Sequence, residues 1–142
     1  MRVQALGVRV YPAVICASVA LVAGCGSSSA GDKAVTRDVR RGLVEIRTVH
    51  DRKLLQAKLT AIVSRLKSDA AASRDAKRAR TLAIRGFEAK LTSVKAEREF
   101  YENDSGQVAE ATIDAARADK YRTRADALLG QAAAKLGVTG RI

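Results

Sequence analysis

Proline is almost missing from this chain of 142 residues: the only one, Pro12, lies close to the amino terminus. Because proline removes a backbone donor and interrupts helices, its absence after residue 12 permits helices of any length. The rest of the composition agrees with this, since 47% of the residues are hydrophobic but only 4% are aromatic. A chain of this length holds one domain rather than two with independent cores. We therefore predict one all-α domain.

Apolar residues recur every three or four positions between residues 34 and 137, which is the spacing of amphipathic helices. The pattern predicts three helices, over 34–67, 74–102 and 107–136. The residues expected to face the core are Val39, Leu43, Ile46, Leu55, Leu59, Ile62 and Leu66 in the first helix, Ile84, Phe87, Leu91, Val94 and Tyr101 in the second, and Val108, Ala111, Ala115, Ala118, Ala125, Leu129, Ala132 and Leu136 in the third. These helices predict an antiparallel three-helix bundle. The alternative is one long bent helix over 34–102 with the last helix packed back on it.

Polar segments separate the predicted helices. Ser73 is expected to cap the second helix, and the segment 103–106, Asn-Asp-Ser-Gly, combines residues that favour caps and turns. Lys135 and Gly137 are typical of a helix C-terminus, so residues 138–142 are expected to be a frayed tail. The alanine-rich face of the third helix buries little area, and dimerisation through an exposed apolar face therefore stays open.

The first 24 residues have the layout of a secretory signal peptide. Arg2 and Arg9 precede an apolar run over 13–23, small residues end that run, and the first acidic residue is Asp32. The run is roughly half of the ~20 residues that a membrane-spanning helix needs. We therefore predict a cleaved leader over 1–24.

The leader runs into Leu21, Val22, Ala23, Gly24 and Cys25, which resembles the lipobox of bacterial lipoproteins. The resemblance covers only the leader. It implies that Cys25 receives a diacylglyceryl thioether, with fatty acids such as palmitate, and becomes the first residue of the mature chain. The lipid would hold the protein on the extracytoplasmic face of the cell membrane.

Residues 25–33 are expected to be the lipidated cysteine and a flexible tether, followed by a helical bundle over 34–137. The segment 26–31 contains only Gly, Ser and Ala, which is typical of flexible linkers. Cys16 lies in the leader, so the mature chain keeps one cysteine and we expect no disulfide. The Ala- and Arg-rich composition resembles that of small helical lipoproteins of high-GC Gram-positive bacteria.

Basic residues outnumber acidic ones, 26 against 15, and the formal net charge is +11. One basic cluster is a candidate contact for anionic lipids or acidic envelope polymers: Arg65, Lys67, Arg74, Lys77, Arg78 and Arg80. A second basic group consists of Arg117, Lys120, Arg122 and Arg124. The alternative is that both groups are solvated faces. Nucleic acid is not expected as a partner, because the leader exports the protein away from it.

The sequence offers no set of residues with catalytic or metal-binding spacing. His50 is the only histidine, which excludes histidine-based triads and multi-histidine metal sites, and we expect it on a helix surface or seam. Gly-rich phosphate loops, Gly-x-Ser-x-Gly and Glu-x-x-His are missing from the sequence. We therefore expect no catalytic residue, no metal, no cofactor and no enzymatic activity.

Residues 97–104 concentrate four carboxylates and two aromatic rings beside the predicted turn. This stretch predicts either a cation site or an acidic-aromatic recognition edge. The alternative is structural: Glu97 and Tyr101 are one helical turn apart, and Arg98 can pair with Glu102 at i,i+4.

The expected function is binding or scaffolding at the cell envelope, with an envelope protein of unknown identity as a partner. The first alternative is a small-molecule or metal carrier that uses a pocket between the helices. That alternative requires polar side chains inside the bundle, and the apolar stripes offer few besides Arg98 and Arg122. The second alternative is an accessory subunit of an envelope enzyme or transporter.

Overall fold

The computed structural model describes residues 29–102 and 108–138, and these residues form helices and no strand. The helices are α1 (Ala30–Thr48), α2 (Arg52–Ser68), α3 (Arg74–Glu102) and α4 (Val108–Lys135). The all-α prediction is confirmed. The described residues contain four helices where three were predicted, because the first predicted helix is two helices.

The predicted helix over 34–67 is interrupted at residues 49–51. The cause is Asp51, whose carboxylate accepts a backbone N–H of the first turn of α2 at 2.7 Å and caps that helix. The chain then reverses, since Lys58 of α2 pairs with Glu45 of α1 at 2.7 Å. A second interruption at 69–73 also rules out one bent helix over 34–102.

The start of α1 lies four residues before the predicted start, so the end of the predicted tether belongs to the fold. Ser29 is the N-cap of α1 and accepts the backbone N–H of Asp32 at 3.1 Å. The Asp32 carboxylate in turn accepts the backbone N–H of Ala72 at 2.9 Å, in the segment between α2 and α3. Gly31 fits beside that segment because a Cβ there would clash with the carbonyl oxygen of Ala70.

The second and third predicted helices correspond to α3 and α4. α3 has the predicted bounds, and Ser73 caps it as predicted by accepting the backbone N–H of Ala76 at 3.1 Å. α4 covers residues 108–135 of the predicted 107–136. The predicted turn at 103–106 lies outside the described residues.

The carboxyl end of α4 closes on Gly137, whose φ of 62° is the left-handed conformation that favours glycine. The backbone N–H of Val138 donates to the carbonyl of Ala133 at 2.9 Å, which is the hydrogen bond of a Schellman motif. Val138 is half-buried against the core, although it was expected to belong to the frayed tail. The remaining residues of that expected tail, 139–142, lie outside the described residues.

The core lies where α1, α2 and the second half of α4 pack against α3. Phe87 of α3 is its largest fully buried side chain, and the ring fills the space that a side chain on Gly42 of α1 would need. The buried aliphatic residues around it are Val35, Val39, Leu43, Leu55, Leu59, Ile62, Val63, Leu66 and Val94. Most of the predicted core positions of the first two stripes are therefore buried. Ile46, Ile84 and Leu91 are only half-buried, and Tyr101 is exposed.

α3 and α4 run antiparallel and pack through small residues. A Cβ on Gly86 would lie 2.8 Å from Cγ of Leu129, and the buried hydroxyl of Ser93 donates to the carbonyl of Ala118 at 3.0 Å. The buried apolar residues of α4 are Ala118, Ala125, Leu129, Ala132 and Ala133. Of the other predicted positions, Ala111 and Leu136 are half-buried and Ala115 is exposed.

Candidate functional site

The predicted lipidation site lies outside the described residues. This applies to Cys25 and to the lipobox residues Leu21, Val22, Ala23 and Gly24. Lipidation therefore stays a prediction, and the described residues begin four positions after the cysteine, at Ser29.

Three parts of the chain meet at one end of the bundle, which we name the Ser29 end. They are the start of α1, the segment 69–73 with the first turns of α3, and the end of α4. Asp32 joins the first two parts through its backbone contacts. Lys135 of α4 lines one groove with Lys77 and Arg78 of α3, and Lys33 lines another groove between α1 and the end of α4.

Half of the predicted basic cluster is bound within the protein. The contacts are Arg65 Nε to Asp38 Oδ2 at 3.4 Å, Lys67 Nζ to Glu88 Oε1 at 2.8 Å, and Arg80 Nη1 donating to the backbone carbonyl of Asp69. These contacts connect the helices and the segment between them. They leave these three side chains less available to an external anion.

The other half of the cluster, Arg74, Lys77 and Arg78, lies in the first two turns of α3. These three side chains are exposed and form no ion pair within the described part of the chain. Lys33 and Lys135 are exposed at the same end. We name these five residues the Ser29-end cations.

Two carboxyl groups at the Ser29 end have shifted pKa values, in opposite directions. The backbone hydrogen bond from Ala72 holds the pKa of Asp32 below its ordinary value of 3.8. Burial, together with the negative charge of Asp38, raises the pKa of Asp69 above 3.8 against the opposing effect of the neighbouring arginines. The two carboxyl groups are therefore expected to change the stability of this end in opposite directions as the pH falls.

A cleft of about 590 Å³ lies at the opposite end of the bundle. It exists because α2 and α4 flank α3 without meeting: no Cα atom of α2 lies within 8 Å of one in α4. We name it the Glu97 cleft. Its charged and aromatic lining includes Arg52 from α2, Lys90, Glu97, Phe100 and Tyr101 from α3, and Arg122 from α4.

Glu97 is shared by two arginines from different helices. Its Oε2 lies 3.6 Å from Nε of Arg52, and its Oε1 lies 3.2 Å from Nη2 of Arg122. Arg122 also pairs with Asp119 at 3.3 Å. One carboxylate thus ties α2 and α4 to α3 across the floor of the cleft. The hydroxyl of Ser93 lies 3.5 Å from the same Oε1.

Aromatic surface lies at the outer end of the cleft. The guanidinium carbon of Arg52 is 4.4 Å from the centroid of the Tyr101 ring, which is within cation–π range. The rings of Phe100 and Tyr101 meet edge to face, with centroids 5.1 Å apart. Phe100 is 37% exposed and Tyr101 is 63% exposed. Both rings can therefore contact another molecule.

Part of this cleft could be recognised in the sequence. The 97–104 stretch supplies Glu97, Phe100 and Tyr101, and its expected ion pair, Arg98 with Glu102, forms at 3.3 Å. Arg122 was one of the few polar residues in the stripes. Arg52 and Lys90 were missed, because nothing in their local sequence distinguishes them from other surface cations.

No metal site or membrane span is found in the described ranges. His50 is exposed between α1 and α2. No group of three or more His, Cys, Asp or Glu side chains is placed to hold a metal ion within residues 29–102 and 108–138. None of the four helices in those ranges is both long and apolar enough to cross a bilayer.

Comparison with models of protein families, with curated proteins and with solved structures finds no significant match for this chain.

Proposed function

We propose that the protein is a lipid-anchored module on the extracytoplasmic face of the cell membrane, with its Ser29 end against an anionic lipid surface. The leader layout and Cys25 support the anchor. The observation that supports the orientation is the position of Ser29, which caps α1 four residues after Cys25 and lies at the same end as the Ser29-end cations.

The short connection limits how far the bundle can stand from the membrane. Four residues of chain reach at most about 15 Å, so a lipid on Cys25 would keep Ser29 that close to the bilayer. Electrostatic attraction is screened over about 8 Å at physiological salt. Nineteen residues of helix separate Arg78 from Glu97, about 28 Å along the axis, so the Glu97 cleft would point away from the membrane.

The proposed task is binding or scaffolding rather than catalysis. Each basic side chain near an anionic surface contributes up to about 1 kcal/mol of attraction. The unpaired cations Arg74, Lys77 and Arg78 would therefore hold the bundle upright on the membrane. The lipid anchor fixes the location, and the charge fixes the orientation.

The anchor is tested by following lipid incorporation in cells grown with labelled palmitate. Cys25→Ala is expected to leave an unprocessed precursor without label, because the acceptor thiol is gone. Cys16→Ala is the matched control and is expected to be labelled and processed normally. Label that persists on Cys25→Ala would contradict the anchor.

The orientation is tested with residues 26–142 and vesicles rich in anionic lipid. Two triple variants remove the same charge: Arg74→Gln, Lys77→Gln and Arg78→Gln at the Ser29 end, and Lys53→Gln, Lys120→Gln and Arg124→Gln elsewhere on the exposed surface. We expect cosedimentation at low salt, release at high salt, and a clear loss only in the first variant. An equal loss in both variants would show that net charge alone attracts the vesicles.

A further inference from the structure

The Glu97 cleft has a charge imbalance that its own residues do not neutralise. Three cations, Arg52, Lys90 and Arg122, line it together with two carboxylates, Glu97 and Asp119. Both carboxylates already pair with arginine. Lys90 is half-buried and forms no ion pair with any described residue. The cleft therefore offers one positive charge, partly removed from water, to a ligand.

The opposite end of the cleft offers aromatic surface. Phe100 and Tyr101 hold each other edge to face at 5.1 Å, and Arg52 covers one face of Tyr101. These contacts restrict the rings while leaving both of them partly exposed. Aromatic side chains attract other rings in offset or edge-to-face geometry, so a flat apolar group is favoured there.

The two features lie on the same side of α3. Lys90 and Tyr101 are eleven residues apart, which is about three helical turns and about 16 Å along the axis. Between them lies Glu97, held by Arg52 and Arg122. A guanidinium has five N–H donors, and the pairs with Glu97 and Asp119 leave donors on each arginine for a polar group in the middle of the cleft.

We propose that the Glu97 cleft binds an elongated organic anion that carries an aromatic ring at one end and a carboxylate or phosphate at the other. The anionic group pairs with Lys90, and the ring packs against Phe100 and Tyr101. A polar linker passes the two arginines and accepts their remaining donors. Simple metal cations are disfavoured, because the positive charges at Arg52 and Arg122 neutralise Glu97.

The proposal is tested by calorimetric titration of the full chain in non-ionic detergent with 2-naphthoyl-glycyl-glycine. This probe has a ring, two amides and a terminal carboxylate. Two matched compounds isolate its parts: the C-terminal amide lacks the charge, and acetyl-glycyl-glycine lacks the ring. We expect saturable binding of the acid, about tenfold weaker binding of the amide, and no measurable binding of the acetyl compound.

Variants then assign the two ends of the ligand. Lys90→Gln is expected to raise the Kd of the acid about tenfold without changing the Kd of the amide. Lys53→Gln removes the same charge from an exposed position on α2 outside the cleft and is expected to leave both values unchanged. Tyr101→Leu is expected to raise the Kd of the acid and of the amide by the same factor, because it removes aromatic surface and leaves Lys90 in place. Thermal unfolding of each variant verifies that the bundle is intact.

Several results would overturn the proposal. Absence of saturable binding by the acid at millimolar concentration would exclude such a site. Equal affinities for the acid and its amide would show that no anion is recognised. Equal losses of affinity for the acid in Lys90→Gln and Lys53→Gln would show that net charge, and not the cleft, attracts the ligand. None of these outcomes depends on the lipid anchor, so the two proposals fail separately.

Discussion

The two ends of the bundle carry their positive charge in different ways. At the Ser29 end, Arg74, Lys77 and Arg78 are exposed and form no ion pair within the described ranges. At the other end, Arg52 and Arg122 converge on Glu97. The first arrangement leaves charge on the outer surface, and the second holds charge inside a recess.

The difference follows from how the helices pack. At the Ser29 end, α1, the 69–73 segment and the start of α3 lie in direct contact, and Gly31 leaves no room beside the backbone of Ala70. The Ser29-end cations are exposed there, which suits contact with an extended anionic surface. At the other end, α2 and α4 do not meet, so side chains from both helices face a shared cavity, which suits a small ligand. The net charge of +11 does not distinguish these two uses.

The substitution with the largest expected effect on stability tests whether both ends depend on one core. Leu59 is fully buried in α2, the helix whose two ends reach the two regions. Leu59→Ala is expected to lower the free energy of unfolding by about 2 to 5 kcal/mol, because it removes buried area and leaves a cavity. Leu54→Ala, at a position that is 50% exposed, is the control and is expected to cost less than about 1 kcal/mol. Urea denaturation measures the free energy of unfolding of both variants. Similar losses of stability in the two would contradict the described core.

The second-largest expected loss of stability comes from a substitution at the Ser29 end. Gly31→Ala is expected to destabilise the protein by about 1 to 3 kcal/mol, because the new methyl group meets the backbone of Ala70. Gly86→Ala is the matched comparison: its Cβ would meet the side chain of the buried Leu129 rather than a backbone segment, and a side chain shifts at lower cost than a backbone. We expect a smaller loss there, partly offset by the higher helix propensity of alanine, about 1 kcal/mol. A stabilised Gly31→Ala would show that this end is loosely packed.

The same two regions show what could be predicted from the sequence. α3 and α4 were predicted closely because their periodicity is long and their caps, Ser73 and Gly137, are local signals. The break before α2 was missed because it contains no Gly or Pro. Two features of the sequence indicate this break. The apolar stripe shifts between Val49 and Leu55, and Asp51 has a side chain that can cap α2.

Other features depend on contacts between distant parts of the chain. Residues 29–33 look like the end of a linker, yet Ser29 caps α1 and residues 30–33 belong to that helix, where Asp32 accepts the backbone N–H of Ala72, forty residues away. The Glu97 cleft joins Arg52 and Arg122, which lie on helices separated in sequence by all of α3. Neither arrangement can be read from local spacing, because both result from how the helices are placed around α3.

A pH dependence is expected from the Ser29 end, with opposite signs for its two carboxyl groups. The pKa of Asp32 is lowered, so its contribution to stability is present above 3.8 and is lost as the pH falls through the folded value. The pKa of Asp69 is raised, so its contribution is present below 3.8 and is lost as the pH rises through the folded value. Asp32→Asn should therefore destabilise the protein at neutral pH and not in strong acid.

Asp69→Asn supplies the opposite test, because it removes a carboxylate whose ionisation opposes folding. Its urea midpoint is expected to exceed that of the unsubstituted protein at neutral pH, and the difference is expected to shrink as the pH falls through the raised folded pKa and to vanish well below 3.8. Parallel midpoint curves for the two variants would contradict the opposed shifts.

The smallest expected effect tests whether the cleft is held together by its own charges. Arg52→Gln removes both the ion pair with Glu97 and the contact with the Tyr101 ring. Exposed ion pairs and cation–π contacts each contribute roughly 0.5 to 1 kcal/mol at most, so the loss of stability is expected to be about 1 kcal/mol. Lys53→Gln removes the neighbouring exposed charge and is expected to change the urea midpoint very little. If Arg52→Gln and Lys53→Gln have the same urea midpoint, Arg52 does not organise the cleft. Its charge then acts like the charges of the unpaired cations at the Ser29 end.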